Sequence, residues 1–224
     1  MKKVIITGCS SGLGYELCKQ YLEMGYAVVG LSRSMPNLPI EHITLDLTQE
    51  DSIVEVSNKI VSDHSNFDIF INCAGIGDIQ PMGEMSIDSI QSMMQVNLLG
   101  TMSLYAKLRN LIIINNVDIC FVGATIGYKA NEYMPAYSVS KRGLRGFIEN
   151  VRHDLKATNA RVIGVHPGGL DTESNIGPQG RESIIKGFGN TTTMLSTNSV
   201  AQYIIYTLNL PKNMEVSESI INRK

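Results

Sequence analysis

Val4-Ile5-Ile6-Thr7-Gly8-Cys9-Ser10-Ser11-Gly12-Leu13-Gly14 is the stretch whose reading decides the fold. Val4-Ile5-Ile6 is a short β-branched run, suited to a strand buried on both faces of a parallel sheet. Glycines follow at once, and after them Leu13, Leu17, Tyr21 and Met24 recur at helical spacing. The order is therefore strand, glycine turn, helix. Glycine lets the backbone approach a ligand closely, and the free N–H groups at a helix start, with the helix dipole behind them, favour a pyrophosphate. A tight turn without a ligand would use the same residues. Placement directly after the first strand makes dinucleotide binding the better reading.

The same alternation continues outward. A second strand, Tyr26 to Leu31, ends at Ser32-Arg33. In dinucleotide-binding units this strand end faces the adenosine ribose, where an acid binds the 2′-hydroxyl and an arginine accommodates a 2′-phosphate. Arg33 without an acid favours NADP(H) over NAD(H); an ordinary solvated arginine is the alternative. Ile43-Thr44-Leu45 reads as a third strand, and Asp46-Leu47 follows it at a carboxyl end, where Asp46 serves either an adenine or a plain turn. Thr48 and Asp51 resemble a helix-capping pair ahead of Ile53, Val56, Ile60 and Val61. A fourth strand, Asp68 to Ile71, runs into Asn72-Cys73-Ala74-Gly75, whose small residues suit either a simple turn or a close backbone approach.

Ser86 to about Asn110 reads as one long helix, with Ile90, Met93, Met94, Leu98, Met102, Tyr105 and Leu108 as its apolar stripe. Asn97 lies inside it. Asparagine is a poor interior helix former, so its amide either has a specific task or faces solvent. A fifth strand, Val117 to Val122, reaches Gly123-Ala124-Thr125-Ile126-Gly127, and a helix with Tyr137 and Lys141 follows. The strand Arg161 to Val165 then opens into His166-Pro167-Gly168-Gly169-Leu170-Asp171-Thr172. Glu173 to Leu195 is rich in Gly, Asn, Thr and Ser, and a substrate flap is expected at about residues 170–196. Met82, Met85 and Phe188 suggest a partly apolar pocket, although methionine-rich stretches also occur as plain core. A helix from Ser199 to Leu208 and a short strand from Ser219 to Asn222 complete the pattern. No linker or repeat interrupts it, so the expectation is one α/β domain over residues 1–224: a doubly wound, mostly parallel sheet with helices on both faces.

Composition narrows the function classes. With 19 basic and 21 acidic residues well mixed and a net charge of -2, no field points to nucleic acid or an anionic membrane, and a small-molecule ligand is expected. Cys9, Cys18, Cys73 and Cys120 are scattered, without C-x-x-C pairing or a histidine at ligand spacing, so reduced thiols and no metal are expected. Met1 to Thr7 turns to glycine before a signal-peptide apolar stretch forms, and no apolar run nears a membrane span. The expected location is the cytoplasm.

Tyr137-Ser138-Val139-Ser140-Lys141 carries the chemistry. A phenol and an ammonium four residues apart share one helix face. A cation beside a tyrosine favours the phenolate and lowers its pKa towards the range of an acid/base catalyst. A surface pair without function has the same spacing.

Thr7-Gly8-x-x-x-Gly12-x-Gly14, Asn72-x-Ala74-Gly75, Asn97, Tyr137-x-x-x-Lys141 and Pro167-Gly168-x-x-x-Thr172, in this order and at these separations, resemble the compact branch of the short-chain dehydrogenase/reductases. The likeness covers essentially the full length. It implies a Rossmann-type domain, dimeric or tetrameric through the long helices, that moves hydride between nicotinamide and a carbonyl or alcohol carbon. Tyr137 would be the acid for reduction and the base for oxidation. Lys141 would bind the nicotinamide ribose and lower the tyrosine pKa, and Asn97 would hold a water linking the lysine to solvent. Gly8, Ser10, Ser11, Gly12, Leu13 and Gly14 would surround the pyrophosphate and adenosine side, Arg33 beside Ser32 the 2′-phosphate, and Asp46 and Leu47 the adenine. Asn72, Ala74 and Gly75 would line the ribose, and Pro167, Gly168, Leu170 and Thr172 the nicotinamide carboxamide.

One position departs from the family. The serine expected thirteen residues before the catalytic tyrosine is Ala124. Loss of a donor aimed at a developing oxyanion costs on the order of a hundredfold in rate. Thr125 supplies the hydroxyl, or the serine has been exchanged for alanine, or cofactor binding has outlived turnover.

Overall fold

The chain runs β1 (Lys3–Thr7), α1 (Gly12–Glu23), β2 (Ala27–Ser32), β3 (Glu41–Thr44), α2 (Glu50–Asp63), β4 (Ile69–Asn72), α3 (Ile87–Met94), α4 (Gly100–Asn115), β5 (Asp118–Val122), α5 (Pro135–Asp154), β6 (Val162–Pro167), α6 (Thr197–Leu208) and β7 (Glu218–Ile221). The structure is a computed structural model and describes residues 1–173, 182, 184–185 and 194–224. Its strands form one seven-stranded sheet in the order β3-β2-β1-β4-β5-β6-β7, with every neighbouring pair parallel.

Alternation along the strands separates two cores. Val4 and Ile6 face one side with Ile69, Ile71, Val122 and Val165, under Leu13 and Leu17 of α1 and Ile204 and Leu208 of α6. Ile5, Phe70, Phe121 and Val162 face the other, under Ile60 of α2, Leu104 and Leu108 of α4, and Leu144 and Ile148 of α5. Each such side chain contributes about 1.5–3 kcal/mol on burial, which is why these strands read as continuous apolar runs. The chain leaves β1 towards β2 on one side and later returns through β4 on the other. That reversal opens a crevice at the carboxyl ends of the strands, where doubly wound sheets bind ligands.

Several local expectations are corrected. The helix from Ser86 is interrupted: Gln95–Leu99 form a π-turn between α3 and α4. It also passes Asn110, because Ile112 still finds the core, and it stops at Asn116, which is left-handed at φ 51°. Thr48 does not cap α2. Its N–H and hydroxyl both donate to Asp46 Oδ1, at 2.9 and 2.7 Å, and Gln49 is the N-cap. Met24 leaves the apolar stripe of α1 to become its exposed C-cap residue. Most of the expected flap lies outside the described residues, but its ends meet: Leu195 N donates to Gly169 O and Asp171 N to Leu195 O, both at 2.9 Å. Among the described residues no helix is long and apolar enough to cross a membrane.

Candidate active site

A cleft of about 780 Å³ opens along the carboxyl ends of the strands. At its centre the β1–α1 turn is shaped by missing side chains. Gly8 is held at φ +74°, and a Cβ there would stand 2.8 Å from Ala74 Cα; a Cβ on Gly14 would stand 2.1 Å from Gly8 O. Helix start, turn and β4 exit thus interlock through the main chain. Thr7 Oγ1 fastens them further, accepting from Cys73 N and Ala74 N at 3.0 Å each. The Ser11 side chain caps none of the N–H groups at the start of α1, so these remain for an anion. Gly8, Ser10, Ser11, Gly12, Leu13 and Gly14 all line the cleft.

The β2–β3 end carries Ser32, Arg33, Asp46 and Leu47, all on the cleft wall. The Ser32 hydroxyl donates to Ser34 O at 2.8 Å and stands 3.0 Å from Cys9 Sγ. Burial pushes the Asp46 carboxyl up, but the two bonds from Thr48 and the Arg33 charge outweigh it and hold Asp46 below its usual range. Arg33 is exposed.

At the other side stand Tyr137 and Lys141 on α5, which Pro135 begins at its first turn. Lys141 is 3 % exposed, and its Nζ donates to Val122 O at 3.1 Å. The half-buried Tyr137 ring has its centroid 5.7 Å from that Nζ. Here the expected electrostatics are corrected. Burial pushes the Tyr137 phenol up to about 12, and burial pulls the Lys141 ammonium down to about 8. The ammonium gives its hydrogen bond to the Val122 carbonyl, and desolvation is the main cause of both directions.

Asn97, in the π-turn, is buried behind the wall. Its Oδ1 accepts from Ile76 N and its Nδ2 donates to Ile76 O, both at 2.8 Å, and Nδ2 also reaches Ser140 Oγ at 3.0 Å. These bonds make the amide a clamp on the β4 exit loop; a Cβ on Gly75 would stand 3.3 Å from Asn97 Oδ1 and 3.2 Å from Lys141 Nζ. Asn72 does not line the cleft. Its side chain is buried against Thr101 of α4, with Nδ2 3.2 Å from the hydroxyl, because the end of β4 turns it into the sheet–helix layer. Ala74, Gly75, Pro167, Gly168, Leu170 and Thr172 line the cleft as expected.

Ala124 and Thr125 both line the cleft, Ala124 extended at φ -162° and Thr125 opening the short 3₁₀ turn Thr125–Tyr128. Sequence reasoning missed what holds this turn. Ser138 Oγ donates to Ile126 O and Lys129 O at 3.1 Å each, and His166 packs beneath Gly123 with Nε2 3.0 Å from Glu218 Oε1. Both serines of Tyr137-Ser138-Val139-Ser140-Lys141 are thus positioning residues, and hydroxyls inside a helix were the available signal. Met82 and Met85 stay off the cleft wall, which takes Met134 and Met194 instead; Phe188 lies outside the described residues. Arg223, after β7, also lines the cleft.

Known proteins resemble this chain in sequence and in fold. An uncharacterised oxidoreductase of Schizosaccharomyces pombe is 30% identical over 178 residues, 76% of this chain and 61% of that protein, so the chain spans less than two thirds of that relative's length. A serine dehydrogenase in its closed form, complexed with NADP+, superposes with a TM-score of 0.87 at 22% identity, covering 98% of this chain and 94% of that one. A 4-hydroxyisoleucine dehydrogenase complexed with NADH gives a TM-score of 0.85 at 22% identity, covering 99% and 97%. Both structures share the fold. The family described as short chain dehydrogenase matches residues 2–179, and with the glycine turn, Tyr137 and Lys141 gathered in one cleft, the chain belongs to the short-chain dehydrogenase family of oxidoreductases.

Proposed function

We propose that this protein is an NADP(H)-dependent reductase of small carbonyl compounds. The observation that carries the reading is the sharing of one cleft by the anion-binding glycine turn and the Tyr137/Lys141 pair. A bound nicotinamide supplies hydride to the carbonyl carbon. The main chain at Gly8, Gly12 and the start of α1 holds the pyrophosphate, and Arg33 binds the 2′-phosphate. Tyr137, pushed up to about 12, keeps its proton at neutral pH and delivers it to the carbonyl oxygen. Lys141 holds the nicotinamide ribose, and Asn97 keeps the loop at Ile76 in place beside it. Assembly as a homodimer or homotetramer belongs to the same reading, supported by exposed Leu99, Met102 and Val139 on the helical surface.

Ala124 supports a second reading, an NADP(H)-binding protein with little or no turnover. A panel of aldehydes, ketones and quinones, followed by NADPH consumption, separates the two. The reductase reading expects turnover in the native chain and a gain of about tenfold or more in Ala124→Ser, since a donor is restored. Binding of NADPH with no turnover of any probe, and activity only in Ala124→Ser, establishes the second. Loss of activity in Thr125→Val identifies Thr125 as the substitute donor.

A further inference from the structure

We propose that Arg223 anchors an anionic group of the substrate, so that the carbonyl compounds taken by this chain carry a carboxylate or a phosphate. The inference rests on the reductase reading and extends it to substrate class.

Strand order sets the stage. Arg33 follows β2 near one edge of the sheet, and Arg223 follows β7 at the opposite edge, beyond the β5 and β6 exits that bring Ala124 and Pro167 to the cleft. Arg223 reaches the cleft over Gly168 and Gly169, most closely over Gly168. Its Cγ lies 3.2 Å from where a Cβ on Gly168 would stand, and its Nη1 3.8 Å from one on Gly169.

Among the described arginines that are half-buried or buried, this one is distinguished by forming no ion pair. Arg109, Arg145, Arg152 and Arg161, each half-buried or buried, have Asp154, Glu149 and Glu218, Glu215 and Asp118 respectively within 4.0 Å. Arg223 is half-buried too, yet among the described residues it forms no ion pair. Its Nη1 contact is Met194 Sδ at 3.9 Å, a weak acceptor. A guanidinium partly removed from water without an anion is costly, and its planar fork matches carboxylate and phosphate oxygens. The cofactor does not meet that need. Its pyrophosphate belongs at the glycine turn and its 2′-phosphate at Arg33, while the part beside Gly168 is the uncharged carboxamide.

Matched probes test the assignment: acetoacetate against methyl acetoacetate, and dihydroxyacetone phosphate against dihydroxyacetone. The native protein is expected to favour the anionic member of at least one pair by about tenfold to a hundredfold in kcat/KM, chiefly through KM. The better pair tells carboxylate from phosphate. Arg223→Gln removes the preference, and Arg223→Lys keeps part of it, more for phosphate than for carboxylate. Equal use of both members by the native protein, a preference that survives in Arg223→Gln, or a loss of NADPH affinity matching the loss of preference overturns the proposal. The same probes are read by thermal shift, with and without NADP+. A shift by the anionic probe that disappears in Arg223→Gln, without any turnover, sustains the anion site and refutes the reductase reading; no anion-dependent shift in the native protein refutes the anion site.

Discussion

The two ends of the cleft are built by different means. Around the glycine turn the main chain does the shaping: Gly8 and Gly14 leave no room for a Cβ, and the Ser11 side chain caps none of the N–H groups starting α1. Around Tyr137 the shaping is done by buried side chains, with Lys141 on the Val122 carbonyl and Asn97 clamped on Ile76. A site made of backbone tolerates changes in most side chains. A site made of desolvated side chains depends on each of them, and its proton affinities follow from burial.

Four experiments probe that contrast. The largest effect is expected from Tyr137→Phe, which removes the proton donor and leaves the nucleotide end intact: reductase kcat falls by about a hundredfold to ten-thousandfold while NADPH affinity, followed by fluorescence, stays within a small factor. An unchanged rate rejects Tyr137 as the acid. Next, Arg33→Asp acts at the other end. It raises the Kd for NADPH by about tenfold to a hundredfold through loss of a charge-assisted contact, and spares NADH; equal weakening of both removes the 2′-phosphate role.

The third experiment is a pH profile. Lys141, pulled down to about 8 by burial, is charged below that value and neutral above it. If its charge holds the ribose, kcat/KM for reduction falls about tenfold per pH unit above 8. Tyr137, pushed up to about 12, adds no break in the same range. A rate that climbs through pH 8–10 contradicts this order.

The smallest effect tests the support of the reaction end. At the last residue of α5, Asp154 accepts from Arg109 Nε and Nη2 and from the Tyr105 hydroxyl of α4, each at 2.7 Å. Arg109 first, then Tyr105, hold its carboxyl down at about 2. A depressed carboxylate contributes stability above its unfolded value near 3.8 and loses that contribution as pH falls through about 2. Asp154→Asn is therefore expected to cost about 1 kcal/mol at neutral pH, little because the pair is partly exposed, and to lose most of that cost by pH 2, as read by urea denaturation.

Most of the fold is legible in the sequence, and so are the glycine turn, Tyr137 and Lys141 that the structure gathers in one cleft. The β-branched runs and glycine spacing describe the first strand, turn and helix locally, so Gly8 to Gly14 needed no knowledge of distant residues. Asn97 was legible as an anomaly, a poor helix former in an apolar stripe, but its partners Ile76 and Ser140 were not. The π-turn has no local signal for the same reason: Asn97 within it bonds to a loop that follows another strand. The place of Asn72 is not legible in the sequence, because its side-chain direction depends on how β4 ends against α4. Arg223 gave no local signal at all. It meets Gly168 only because β7 pairs beside β6.

Periodicity and backbone freedom are properties of neighbouring residues, and from them the sequence alone determined the strand–helix alternation, the anion-binding turn and the shared face of Tyr137 and Lys141. Proton affinities and ion pairing depend on which distant groups share low-dielectric space. The tertiary structure therefore decided that burial raises the phenol and lowers the ammonium, that Asn97 clamps a loop, and that, among the described residues, half-buried Arg223 lines the cleft without an ion pair.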